Sequence, residues 1–211
     1  FAQYEMFQRL NTGGSHLSPQ EIRNCLLVVK NEDVYRWFKM LSENEDFRNA
    51  VPISEKDADE QGYIELVVKY FVLRYSKFEV SDSENYNNFI TDEILSLIDD
   101  KKIDREKDED IFNRTFKLIF DIMGENAFKR YNPEKDTHCG PVLVGAYEAI
   151  VPGVSENIEY YEKNNAMLKK CIDDIYISKE YYDATKRGVR PVVRIKKLAI
   201  ASRNLLNGSE N

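Results

Sequence analysis

Two sets of residues in this chain have the types and spacing to do chemistry. The first is Arg9, Asn11, Thr12, the Gly13 and Gly14 pair, Gln20 and Arg23. Glycine-rich turns expose backbone N–H groups, a helix start adds partial positive charge, and two arginines can make charge-assisted hydrogen bonds to phosphate. Gln20 and Arg23 stand three apart and so share a helix face. Together these residues offer capture of a phosphate or nucleotide. Ser18 and Glu21 limit that offer, because a capping box occupies two of the N–H groups an anion would need. The spacing is not that of the G-x-x-x-x-G-K-[ST] loop, so a phosphate here would lean on the turn and the arginines.

The second set is Arg187, Arg190, Arg194, Lys196, Lys197 and Arg203. Arg187, Arg190, Arg194 and Lys197 recur at intervals of three, four and three, which predicts one basic stripe. Opposite it stand Val192, Ile195, Leu198, Ala199, Leu205 and Leu206, and no acidic residue occurs from Ala184 to Asn207. Such a helix could follow a DNA backbone with salt-dependent affinity. The commoner fate of such a run is a solvated face or pairing with carboxylates elsewhere in the chain.

Other chemistry finds little support. Asp99-Asp100-Lys101 has the letters of a D-x-K nuclease end, but such sites need a strand and a partner carboxylate. The mixed-charge run from Asp99 to Asp110 reads as a solvated connection between helices. Ser15 and His16 lack a nucleophile elbow, and His138-Cys139 lies in a predicted loop with no second pair. Two histidines and three scattered cysteines, Cys25, Cys139 and Cys171, give neither metal-ligand spacing nor an even disulfide set. No catalytic residue and no metal ligand is assigned. No cofactor is expected in this chain, and the thiols fit a reducing cytoplasm.

The elements that must position these residues are helices. Phe7 and Leu10 end a short helix at Gly13 and Gly14, and Ser18-Pro19-Gln20-Glu21 starts the next with an N-cap, a first-turn proline and a capping box. One or two short helices follow between Asp33 and Ala50, with Asn44 a restart and Pro52 a stop. Ile64, Val67, Val68, Phe71 and Tyr75 mark one face of a buried helix, and Ile90, Ile94, Leu97 and Ile98 mark another. Phe112, Phe116, Ile119, Phe120 and Met123 repeat the pattern before Gly124. These stripes read as core, not as a cofactor pocket. Tyr131 to Gly140 reads as a loop or subdomain boundary, and Pro141 then opens a short helix that Pro152-Gly153 ends. Further helices span Ser155 to Cys171 and Lys179 to Thr185, and Pro191 sits in the first turn of the last. No β-hairpin signal and no repeat is visible. The expectation is an all-α, irregular bundle of about eight to ten helices without significant sheet, one unit over residues 1–211 with a candidate subdomain boundary near 131–140.

The segment from Phe7 to Asn24, FQRLNTGGSHLSPQEIRN, resembles a motif close to F-x-R-L-N-T-G-G-[ST]-x-L-[ST]-x-Q-E-[IL]-R-N. That motif belongs to the domains forming the N-terminal part of GmrSD-type, modification-dependent restriction endonucleases. It is matched at Phe7, Arg9, Leu10, Asn11, Thr12, Gly13, Gly14, Ser15, Leu17, Ser18, Gln20, Glu21, Ile22, Arg23 and Asn24. Phe47-Arg48 and the stretch from Glu65 to Tyr75 also resemble the helices that follow in the family. Beyond about Tyr86 the likeness is one of helical pattern. Family members carry, upstream of the motif, an α/β portion similar to ParB-type nucleases with a D-G-Q-Q-R signature, to which nucleotide binding and hydrolysis are attributed. Some add a downstream HNH nuclease. Neither string occurs here, and the chain opens at Phe1 without a methionine, so it reads as the helical C-terminal portion of a longer protein. The resemblance implies a prokaryotic defence role, an NTP and a divalent metal for the full-length protein, and contact with its N-terminal α/β portion and with DNA. A non-catalytic helical module that binds another protein, or a second copy of itself, is the alternative.

Composition agrees with one globular unit. The 211 residues are 42% hydrophobic and 32% charged, which is globular and not disordered. Thirty lysines and arginines stand against 37 acidic residues, and the net charge of −7 argues against indiscriminate coating of nucleic acid. No signal peptide and no apolar run of membrane-spanning length is present, so no membrane partner is expected.

Overall fold

Ser18 opens the first helix of the structure, a computed structural model that describes residues 17–208. Its Oγ accepts from the Glu21 N–H at 3.3 Å, and Glu21 Oε2 accepts from the Ser18 N–H at 2.7 Å, with Pro19 at the first helical position. This predicted capping box starts α1 (Pro19–Lys30). Asn31 caps α2 (Glu32–Ser42), Asn44 caps α3 (Glu45–Ala50) and Ser54 caps α4 (Glu55–Asp59) by the same logic, each side-chain oxygen accepting from a first-turn N–H. Next come α5 (Gly62–Tyr75), α6 (Tyr86–Asp99) and α7 (Arg105–Met123), the last ended at Gly124, whose φ is +55°. A short ribbon, β1 (Lys129–Asn132) and β2 (Thr137–Val142), precedes α8 (Val144–Glu156), α9 (Ile158–Lys163), α10 (Asn165–Ile177), α11 (Lys179–Thr185) and α12 (Pro191–Leu205). Twelve α-helices among the described residues make the protein mostly all-α, slightly above the expected helix number.

The aromatic stripes are core. Phe38 stacks on Phe71 at 4.9 Å, and Phe47 meets Phe116 at 4.6 Å and Phe112 at 5.1 Å. One cluster of buried side chains runs from Leu27 through the α5 and α7 stripes to Leu206. Around its middle helix, α5, the structure differs from the one-faced expectation. Leu66, Tyr70, Val72 and Leu73 are buried as well as Ile64, Val67, Val68 and Phe71 of the predicted face, because α2, α6 and α8 pack around it. A helix apolar on nearly every side belongs inside.

Four expectations are corrected. Tyr131 to Gly140 is not simply loop: β1 and β2 pair antiparallel with Tyr131 opposite His138 and Asn132 opposite Thr137, and the register shifts between Lys129 and Arg130. Asn132 Oδ1 accepts from the Glu134 N–H at 3.0 Å, and Asp136 at φ +46° closes the turn. Both strands are half exposed and polar, so the alternation that betrays a hairpin is missing. Second, α8 continues through Pro152. The proline removes the N–H that would bond the Glu148 carbonyl, and the Gly153 N–H turns to Ser202 Oγ at 2.8 Å. A Cβ at Gly153 would stand 2.6 Å from the Ser202 carbonyl oxygen and closer still to Leu206, so glycine here lets α8 and α12 press together. Third, the Asp99–Asp110 run is not wholly solvated. Asp108 is fully buried and accepts from Tyr75 OH at 2.7 Å, Arg74 Nε at 3.2 Å and the Asp104 N–H at 3.0 Å. The expected helix from Ser155 to Cys171 is also divided, at Asn157 and Asn164.

Buried phenols give the fold an alkaline limit. Burial, then the hydrogen bond to Asp108, pushes Tyr75 up to about 12, and burial pushes Tyr181 up to about 12. Tyr70, Tyr86 and Tyr147 are raised for the same first reason. A phenol with a raised folded value loses its proton more readily in the unfolded chain. Its contribution is therefore complete below about pH 10 and lost as pH rises toward about 12. Urea titrations across this range should show stability falling steeply, with tyrosinate absorbance rising together with loss of helix.

Candidate functional site

The second half of the signature segment is built into the bundle. Gln20 Nε2 donates to the Glu60 carbonyl, and Asn24 Nδ2 donates to Gln61 Oε1 at 2.6 Å. Gln61 is the residue that opens α5 in a left-handed conformation, φ +62°. Arg23 is fully buried. Its Nη1 pairs with the Glu65 carboxylate, its Nε donates to Thr91 Oγ1 at 3.0 Å, and its Nη2 donates to the Asn87 carbonyl at 3.3 Å. A guanidinium spent on three acceptors in the interior holds α1 against α5 and α6, and it is not presented to solvent. Arg9, Asn11, Thr12, Gly13 and Gly14 lie outside the described residues.

Arg23 is one end of a charged series that crosses the bundle. Glu65 also approaches Lys69 Nζ at 3.7 Å, and that ammonium lies 5.7 Å from the centre of the Tyr86 ring. Tyr86 OH donates to Glu148 Oε1 at 3.1 Å, and Glu148 accepts Arg194 Nε at 2.7 Å and Nη2 at 3.0 Å. Glu148 is fully buried and Arg194 partly so. The forked pair is the geometry in which a carboxylate and a guanidinium bind most strongly. Burial, then Glu148, holds the Tyr86 phenol well above its usual value.

The last helix does not present the single basic stripe that its spacing predicts. Gly188, at φ +92°, turns the chain before Pro191, so Arg187 and Arg190 precede α12. Arg194 is committed to Glu148. Lys196 Nζ donates to Asp82 Oδ1 at 2.7 Å and to the Val80 carbonyl at 2.8 Å, and Arg203 Nε donates to Glu156 Oε1 at 2.7 Å. Arg187, Arg190 and Lys197 are exposed and make no ion pair among the described residues. Three of the six cations thus fasten α12, and the other three face solvent.

A third place is assembled only by the fold. His138 Nε2 lies 2.8 Å from Asp173 Oδ1 and its Nδ1 lies 3.2 Å from the Lys129 carbonyl, so both ring nitrogens face acceptor oxygens. Asp173 also accepts Lys169 Nζ at 2.7 Å. The contact between His138 and Asp173 clamps the β-ribbon to α10. Beside the clamp, Tyr131 lies 4.8 Å from the His138 ring, Tyr176 lies 5.5 Å from it, and Tyr181 meets Tyr176 at 5.3 Å. Tyr131, Tyr176 and Tyr181 help to line a cleft of about 700 Å³ between the ribbon, the start of α8, α11 and Arg194. The cluster of Tyr176, Tyr181 and Tyr182 was a signal in the sequence, but its basic partners come from distant segments. Among the described residues no group of three or more His, Cys, Asp or Glu is placed to hold a metal ion, and no helix is long and apolar enough to cross a membrane. Neither family models, nor curated proteins, nor solved structures provide a match to this chain.

Proposed function

We propose that this chain is the helical, non-catalytic portion of a GmrSD-like prokaryotic defence protein, cytoplasmic in location, whose full-length form binds and hydrolyses a nucleoside triphosphate with a divalent metal and acts on DNA. The resemblance between Phe7 and Asn24 is what suggests the parent. The observation that carries the assignment of this portion as scaffold is the burial of Arg23 on Glu65, Thr91 and Asn87. An arginine of the motif that is fully spent inside the bundle serves to anchor the motif, and in this proposal Arg9 is the motif arginine that completes a nucleotide site on the α/β portion. DNA contact by this portion would rest on Arg187, Arg190 and Lys197, since the other three cations of the last segment are paired.

The test is nucleotide hydrolysis by the full-length protein, with and without modified DNA, beside the 211-residue chain. Hydrolysis is expected in the full-length protein alone, and Arg9→Ala is expected to abolish it without changing helix content. Hydrolysis unaffected by Arg9→Ala removes the motif from the site. No hydrolysis by the full-length protein under any condition favours the alternative, a helical protein-interaction module.

A further inference from the structure

The cleft beside the β-ribbon has a chemistry unlike that of the chain as a whole. The protein has a net charge of −7, yet the cleft is lined by three cations, Arg130, Lys186 and Arg194, and by no carboxylate. Arg130 is exposed on β1 and makes no ion pair among the described residues. Lys186 Nζ is shared with Asp183 at 2.9 Å on an open surface, where such a pair is easily exchanged. Arg194 is different, because buried Glu148 holds it by two hydrogen bonds and fixes its plane. Cations that meet at one concavity raise the local concentration of anions.

The rest of the wall is aromatic. Tyr176 is held by its hydroxyl on the Ala127 carbonyl at 2.7 Å, and Tyr181 packs edge-on against it. The hydroxyls of Tyr181 and Tyr182 make no hydrogen bond among the described residues, and Tyr182 is 67% exposed. Tyrosine faces stack on any planar ring, and arginine forks match phosphate oxygens. Gly145 forms part of the floor, at the start of α8 where no side chain caps the helix. The volume, about 700 Å³, lies within the range of small-molecule sites.

We propose that this cleft binds a nucleotide-sized ligand, a planar ring joined to a phosphate, with the ring against Tyr181 and Tyr182 and the phosphate on Arg130 and Lys186. The inference goes beyond the parent's hydrolysis and does not need it: it concerns residues of this chain far from the signature in sequence, and loss of hydrolysis in Arg9→Ala leaves it standing. A free nucleotide and the end of a nucleic-acid strand present the same chemistry.

Calorimetric titration of the 211-residue chain with adenosine 5′-monophosphate tests it, with inorganic phosphate, adenosine and a short single-stranded oligonucleotide as further arms. Binding of the monophosphate should exceed that of phosphate or adenosine, weaken as salt is raised, fall about tenfold or more in Arg130→Glu, and fall about fivefold or more in Tyr182→Ala. Both positions are exposed, so both variants should keep the parent's melting curve, and Lys39→Glu, on exposed α2 surface, should leave binding unchanged. Tighter binding of the oligonucleotide that is lost in the same two variants supports the site and assigns its ligand to a strand end. Absence of monophosphate binding at millimolar concentration, or binding unaltered in both variants, overturns the proposal.

Discussion

Replacement of Arg23 by alanine is expected to destabilise the chain by about 3–5 kcal/mol, the cost of leaving one partner of a buried ion pair uncompensated. The physical reason lies mainly in what remains. Glu65 would keep only Lys69, at 3.7 Å, as a cation, and Thr91 and the Asn87 carbonyl would lose the donor that serves both. Equilibrium urea unfolding measures the loss. The double variant Arg23→Met with Glu65→Leu should recover most of it, since apolar residues of similar volume often replace a buried pair at little cost. A loss below about 1 kcal/mol in Arg23→Ala would mean an exposed pair and would return the arginine to the candidates for ligand contact. The experiment therefore separates a scaffold role from a binding role at the one motif arginine whose surroundings are described.

Asp108→Ala should cost a similar amount, about 3–5 kcal/mol. Here the stranded group is Arg74, mostly buried, whose Nη1 otherwise reaches only the Ser155 carbonyl at 3.2 Å. Tyr75 and Asp104, the residue that caps α7, lose an acceptor at the same time. For a domain of this size such a loss lowers the melting temperature by roughly 6–20 °C. Asp108→Asn keeps the shape and an acceptor oxygen, so its melting temperature should fall by less than that of the alanine variant. Equal melting temperatures for the two variants would show that charge pairing with Arg74, and not shape, holds α5 to α7.

Much of the fold was legible because its signals are local. The capping box at Ser18 and Glu21, the cap at Asn44, the stop at Gly124 and the first-turn proline at Pro191 all act within one helical turn, and each appears where its residues predict. The stripes on α5, α6 and α7 were legible because burial of one face imposes a period of 3.6 residues. The ribbon was hidden because polar, half-exposed strands carry no such imprint. Pro152 misled because the helix is held past it by another helix, where Ser202 Oγ accepts from the Gly153 N–H, and local sequence does not name that partner.

The site divides in the same way. Residue types and spacing alone determined a helical, charge-rich chain with a capped motif segment, two sets of candidate cations, and no local metal or nucleophile motif, since each of these is set by neighbours in sequence. Only the tertiary structure decided which charges are spent and which are free. Glu65, Glu148, Asp82 and Glu156 reach Arg23, Arg194, Lys196 and Arg203 across 42, 46, 114 and 47 positions of chain. The interior requires a buried charge to be paired, but no spacing rule tells a cation which distant carboxylate the packing of helices will bring to it. The same packing left Arg130 unpaired and gathered it with Lys186, Arg194 and the tyrosines at one cleft.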